Sequence, residues 1–276
     1  MSDWRIEAKN RILYFDLRLL WSYRDLLLMF IKRDIVTVYK QTILGPVWYV
    51  AQPILTTVIY MFVFGNIAGI STDGLPQPLF YFSGVIVWNY FSECFTTTSI
   101  TFNENQKIFG KVYFPRLIVP FSKAISALIK FFIQFGFFLI LYFYYAYTIG
   151  LSPNLYVFLM PFIISMVGLL GLGLGILFTS ITAKYRDLVF LLQFGIQLLM
   201  FATPIIYPLS ILEGLTKKIV LANPLSPLIE AFRLGWLGTG SFDWLQMAYS
   251  VVIIFFFFFF GMVVFQKAEK NFIDTV

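Results

Sequence analysis

The 276-residue chain has no histidine, a single cysteine and only 12% charged residues. Each shortage removes a class of chemistry. Without histidine, the most frequent general base and metal ligand are gone. With Cys94 alone, no disulfide can close within the chain, and zinc, haem or Cys–His catalytic centres lack their usual ligands. A water-soluble domain carries about 25% charged residues, roughly twice what is present. Apolar residues take the space: 59% of the chain, with aromatics at 20% and a mean hydropathy of +0.82. That composition does not suit a soluble enzyme, a nucleic-acid reader or a disordered tail. It fits an integral membrane protein.

A helix needs about 20 apolar residues to cross a bilayer. Six stretches qualify: 44–70, 79–102, 118–147, 155–182, 188–210 and 245–265. The N-terminus, MSDWRIEAKNR, is charged and no small-residue cleavage site follows, so no cleavable signal peptide is expected. An even number of spans puts both termini on one side. Eight Lys/Arg precede the first span, and with those in alternate loops and the tail that side holds fifteen, against three on the other. The positive-inside bias therefore places both termini in the cytoplasm. The net charge of +6 is mostly a topology signal rather than a nucleic-acid footprint.

Residues 19–40 predict an amphipathic helix lying along the membrane. Leu20, Tyr23, Leu27, Ile31, Ile35 and Val38 recur at helical spacing, with Arg24, Lys32, Arg33 and Lys40 opposite. Asp34 falls on the apolar arc and breaks the pattern. Such a helix can anchor to anionic lipid, or it can also receive an anionic headgroup or phosphate. Gly45–Pro46 then turns the chain into the membrane. In the outer loop 211–244, Asn223-Pro224 and Pro227 cut the apolar pattern into pieces at 213–222 and 226–237, too short to span. These predict two re-entrant helices covered by protein, with Glu230 and Arg233 spaced to pair. The Phe255–Phe260 run reads as lipid-facing or packing surface. The expected fold is all-α: one polytopic domain over 1–276, with six spans, an interface helix and two re-entrant helices before the last span.

Polar residues form stripes inside the spans. Tyr49, Gln52, Thr56 and Tyr60 share a face of the first. Asn89, Ser92, Glu93, Thr96 and Ser99 share one on the second. Lys123, Ser126, Lys130 and Gln134 share one on the third, and Gln193, Gln197, Pro204 and Tyr207 one on the fifth. Single residues of this kind form interhelical hydrogen bonds worth roughly 0.6 kcal/mol; four coherent stripes also suggest a polar, aromatic passage. Glu93 and Lys130 lie at similar depths, about 16 and 18 Å from the cytoplasmic ends at 1.5 Å per residue. A buried ion pair of structural purpose is expected between them. Gly168, Gly171, Gly173 and Gly175 predict close helix packing in the fourth span.

Three segments together resemble the membrane subunit of the ABC-2 polysaccharide exporters, which move O-antigen, capsule or teichoic acid. They are RDIVTVYKQTILGPVWYVAQPILTTVIYMFVFGNIAGI at 33–70, NENQKIFGKVYFPRLIVP at 103–120, and the series YRDL, TPIIYP and NPLSPLIEAFR between 185 and 233. The O-antigen branch looks nearest. Ile108, Phe109 and Gly110 depart from the aliphatic pair expected before Lys111.

The resemblance implies a homodimer in the bacterial inner membrane, joined by two cytoplasmic ATPase subunits that bind ATP and Mg. This chain itself has no Walker A sequence, no metal site and no catalytic residue, and it needs no cofactor. The resemblance also makes 103–117 a coupling loop, with Lys107, Lys111 and Arg116 as ATPase contacts, although a solvated positive-inside loop explains those charges too. The cargo would be an undecaprenyl-pyrophosphate-linked glycan. Its pyrophosphate would meet Arg24, Lys32, Arg33 and Lys40, and its sugars would follow Tyr49, Gln52, Thr56, Tyr60, Trp88, Gln193, Gln197 and Tyr207. Membrane-interface belting accounts equally for Trp48 and Trp88. The alternatives are an ABC-2 exporter of teichoic acid, capsule, lipid or drug, and more remotely a membrane-embedded transferase or a passive channel.

Overall fold

The computed structural model describes residues 21–40, 45–109, 111–112, 114–185 and 187–273, with backbone only at 38–40, 107 and 270–273. Residues 19–20 and 44 of the expected elements, and the cations Arg5, Lys9, Arg11, Arg18 and Arg186, lie outside these. All regular structure among the described residues is helical. In chain order the α-helices are α1 (Arg24–Lys40), α2 (Trp48–Tyr60), α3 (Gln77–Ser99), α4 (Thr101–Phe109), α5 (Ile118–Ile149), α6 (Met160–Thr182), α7 (Leu188–Phe201), α8 (Gly214–Ala222), α9 (Leu225–Leu237) and α10 (Trp244–Ile273).

Between α1 and α2, Gly45 adopts φ 49°, a backbone shape that favours glycine, and Pro46 follows in a short 3-10 turn. The chain then runs through α2 into a π-helical stretch, Met61–Ile67. Among the described residues, four helical stretches are long and apolar enough to cross a membrane: Gly45–Ile67, Ile118–Ile149, Leu155–Thr182 and Trp244–Glu269. α3 has the length, but Asn89, Ser92, Glu93 and Thr96–Ser99 dilute its hydropathy. It is also well enclosed, with sixteen of its 23 residues buried, so most of its surface meets protein.

α7 stops at Phe201, nine residues short of the expected 210. Pro204 and Pro208 explain this, since each lacks an N–H donor and disfavours helical backbone at the residue before it. The stretch expected as a loop at 103–117 begins instead as α4. The two pieces expected in 211–244 form as α8 and α9, within a residue or so of their expected bounds.

α6 packs on two sides through its glycines. A Cβ on Gly171 would lie 2.9 Å from Cys94 Cβ, and one on Gly175 would lie 2.5 Å from Thr98 Cβ. This is the GxxxG face, and it presses on α3. A Cβ on Gly173 would lie 2.7 Å from the Cα of Phe258, so the opposite side receives the backbone of the phenylalanine run. Phe256, Phe259 and Phe260 point outward, between 48% and 58% exposed. At the α3–α4 end of the bundle, Thr182 Oγ1 donates to Ser99 O (2.5 Å) and Asn103 Nδ2 to Thr182 O (3.1 Å). Rings continue the contact: Phe30 lies against Phe114, Phe114 against Phe109, Phe109 against Phe102, and Phe102 stacks on Phe265 at 4.9 Å.

Gly173→Ala should cost about 1–3 kcal/mol through overpacking against a backbone that cannot step aside. Gly136→Ala, where no atom lies within 4 Å, should stay within about 1 kcal/mol of the parent. Thermal unfolding of both variants in detergent checks the contrast; equal melting temperatures would contradict it.

Candidate functional site

Three of the four polar stripes converge. Tyr49 and Gln52 of α2, Asn89, Ser92, Glu93 and Thr96 of α3, and Lys130 and Gln134 of α5 line a cavity of about 280 Å³. Helical spacing of three and four residues brings each set to one face. Lys130 Nζ donates to Glu93 Oε1 and sits 5.2 Å from the centroid of the Tyr49 ring. The pair joins α3 to α5, and the aromatic face of α2 closes over the cation.

The rest of the proposed track divides. Thr56 Oγ1 back-bonds to Gln52 O at 3.0 Å. Tyr60 hydroxyl reaches Met200 Sδ at 3.1 Å, tying α2 to α7. Gln193 and Gln197 are exposed on α7 among exposed Phe190, Leu191, Phe194 and Leu198. Tyr207 hydroxyl donates to Phe201 O at 2.8 Å, across the end of α7. Trp88 is buried against Phe91 and does not line the cavity.

The α1 cations also divide. Arg33 Nη2 lies 3.0 Å from Asp34 Oδ1, its Nη1 donates to Asn105 Oδ1 at 3.3 Å, and its guanidinium lies 4.7 Å from the Phe30 ring centroid. Lys123 Nζ lies 3.4 Å from Asp34 Oδ2 and 3.1 Å from Glu104 Oε2. Asp34, which spoiled the apolar arc, is therefore the carboxylate through which α1 meets α5 and, via Lys123, α4. Arg24 and Lys32 are exposed, with Arg24 3.9 Å from Asp25. The side chains of Lys40 and Lys107 lie outside the described residues. Lys111 is exposed. Arg116 Nε lies 3.9 Å from Glu269 Oε1, and its Nη1 donates to Glu269 O at 3.4 Å, fixing the loop to α10.

A second centre went unread in the sequence beyond its pairing. Arg233 is 1% exposed, yet its donors are widely used. Nη1 donates to Pro204 O at 2.5 Å and Glu230 Oε1 at 3.4 Å, Nη2 to Ile205 O at 2.9 Å and Phe80 O at 3.4 Å, and Nε to Ser83 Oγ at 3.4 Å. The Phe80 ring centroid lies 3.9 Å away. Gly84 leaves the room, since a Cβ there would lie 2.8 Å from Nη2. Glu230 Oε2 accepts from Ser241 N at 3.1 Å. The two signals in the sequence were an arginine within an apolar segment and two prolines freeing carbonyls at 204–208.

Comparison with known proteins adds to this geometry. A family profile described as ABC-2 type transporter matches residues 25–237. A Klebsiella pneumoniae protein named O-antigen export system permease protein RfbA is 28% identical over 252 residues, which cover 91% of this chain and 94% of the relative. A second K. pneumoniae protein of the same name is 26% identical with the same coverage. A Myxococcus xanthus protein of that name is 27% identical over 219 residues, 78% of this chain and 82% of the relative.

Arg233→Leu should destabilise the fold by about 3–5 kcal/mol, because it strands the Glu230 charge and leaves carbonyls unpaired. Adding Glu230→Gln should recover part of that loss, and a double variant no more stable than the single would count against the charge argument. For Glu93 and Lys130, a double-mutant cycle with Glu93→Gln and Lys130→Met should return a coupling of about 0.5–3 kcal/mol. Additive single effects, read from thermal unfolding, would mean that the pair contributes nothing as a pair.

Proposed function

The chain belongs to the ABC-2 type transporter family, and from that premise we propose that it moves a lipid-linked, O-antigen-like polysaccharide across the bacterial cytoplasmic membrane. It is a multi-pass membrane protein and a transporter permease rather than an enzyme. A permease of this kind works with an ATPase partner. The observation that carries the reading is the end-to-end correspondence with permeases named for O-antigen export.

The geometry supports it on one face. Gln52, Gln193 and Gln197 lie exposed on α2 and α7, and amide groups turned to hydrocarbon would have nothing to bond. This face therefore looks onto a second copy and a polar passage between the two, along Tyr49, Gln52, Thr56, Tyr60, Gln193, Gln197 and Tyr207, with Trp88 backing the wall. α3 and α7 complete six spans, with both termini cytoplasmic and α8 and α9 re-entrant at the outer face, where Arg233 holds the exit rigid.

The cargo is an undecaprenyl-pyrophosphate-linked glycan entering from the inner leaflet. Exposed Arg24 and Lys32, with Lys40, meet its pyrophosphate. Arg33 belongs to the same cationic helix but shares its charge with Asp34. Lys107 and Lys111 face the ATPase, where ATP and Mg reside, and Arg116 fixes the loop that carries them. Movement of that loop reaches α1 through Glu104, Lys123 and Asp34, and the two copies then part to admit the glycan.

Purified with its ATPase in lipid nanodiscs, the permease should support ATP hydrolysis that rises several-fold with the lipid-linked glycan. Cells lacking the permease should accumulate that glycan-lipid on the cytoplasmic face. Stimulation by an unrelated drug or phospholipid, with none by the glycan-lipid, would point to another cargo.

A further inference from the structure

We infer that the cavity between α2, α3 and α5 is a binding site for one sugar ring, the ring nearest the lipid of the exported glycan. The inference rests on the export reading above and names a site inside each subunit, beside the passage between the two copies and sharing Tyr49 and Gln52 with it.

Three depth estimates agree on its place. Gln52 lies seven residues beyond Gly45, about 10 Å. Glu93 lies six residues before Ser99, where α3 ends, about 9 Å rather than the depth of about 16 Å that a span running on to Glu104 predicts. Lys130 is about 18 Å from the start of α5, but that helix of about 48 Å overhangs a hydrocarbon layer of about 30 Å by about 9 Å at each end. All three put the cavity about 10 Å inside the cytoplasmic boundary. A headgroup and first sugar drawn from the inner leaflet across the membrane must pass this level.

The chemistry selects a neutral polyhydroxyl ligand over an anion. The one cation, Lys130, is already neutralised by Glu93, so a phosphate would have to displace a carboxylate and then sit beside it. Gln134 Oε1 is buried with no hydrogen-bond partner among the described residues, and the residue is 8% exposed. An unpaired acceptor in a buried site needs a donor. A sugar hydroxyl supplies one and a phosphate dianion does not. The half-buried Tyr49 ring in the wall offers an aromatic surface for the C–H side of a pyranose. At about 280 Å³ the space falls just under the roughly 300–1,000 Å³ of sites for drug-sized ligands, so it suits one ring and not a chain.

The test uses the permease–ATPase complex in nanodiscs and the substitution Thr96→Cys. Thr96 lines the cavity, and the native Cys94 is fully buried, giving a silent background. The rate of modification by a small methanethiosulfonate reagent is measured with undecaprenyl pyrophosphate alone and with undecaprenyl pyrophosphate carrying a single hexose. The hexose-bearing lipid should slow modification at least fivefold and the bare lipid should not. Equal slowing by both lipids would make the cavity a phosphate site and overturn the inference. Slowing by neither, while the full glycan-lipid still stimulates ATP hydrolysis, would overturn the inference and leave the export reading standing. Failure of both protection and stimulation would overturn both.

A second variant covers misfolding. Gln134→Leu removes the unpaired acceptor, so its melting temperature should not fall. The glycan-lipid concentration for half-maximal ATPase stimulation should rise at least fivefold, and an unchanged value would overturn the inference.

Discussion

A guanidinium taken out of water must find acceptors for its five N–H groups and a counter-charge for its cation. Arg233 finds both where three elements meet. Its carbonyl partners at Pro204 and Ile205 exist because two prolines stop α7 and free the backbone after it. Its other partners, Phe80 and Ser83, sit in the first turns of α3, and Glu230 lies one turn away on α9. Without the arginine, the bent segment 202–208 would hold unbonded carbonyls inside an apolar bundle. Without the bend, the arginine would be an uncompensated charge. Each makes the other tolerable, and α3, α7 and α9 are thereby set at fixed spacing.

A matching arrangement holds the other end of the bundle. Lys123 bridges Asp34 of α1 and Glu104 of α4, while aromatic rings run from Phe30 to Phe265. α1 is thus bonded to the bundle as well as attracted to the membrane surface. This assigns its charges unequally. Arg33 and Asp34 serve the joint, and Arg24 and Lys32 remain exposed.

Much of this was legible in the sequence, because a bilayer demands long apolar runs and because helical periodicity sorts side chains by face. The bounds of α5 and the end of α6 follow from those two facts, as does the meeting of Glu93 with Lys130, while the bounds of α8 and α9 follow from the prolines that interrupt 211–244. Hydropathy failed in two places for a common reason: it weighs residues without asking what they touch. TPIIYP at 203–208 is apolar and so looked like the end of a span, although its prolines forbid the helix. Asp34 looked like a flaw in an apolar arc because Lys123, the partner that ties it to α5, lies 89 residues away. The cavity itself was only half legible. The stripes on α2, α3 and α5 were visible singly, but nothing in their spacing said that three would face one another while Gln193 and Gln197 on α7 would face outward.

The glycines of α6 carry a consequence for mechanics. With the Cβ atoms of Cys94 and Thr98 on α3 pressed against one side and the backbone of α10 against the other, α6 has little to compress in either direction. Sliding or turning α6 would drive its backbone into those atoms. The trio therefore behaves as a stator. α2 and α7 contribute few residues to the core, Pro53 and Thr57 on one and Ile196 on the other, so a change of shape has least to undo there. The chain divides its labour by side-chain size: where residues are smallest the subunit is stiff, and where bulky side chains stand outward it is free to yield.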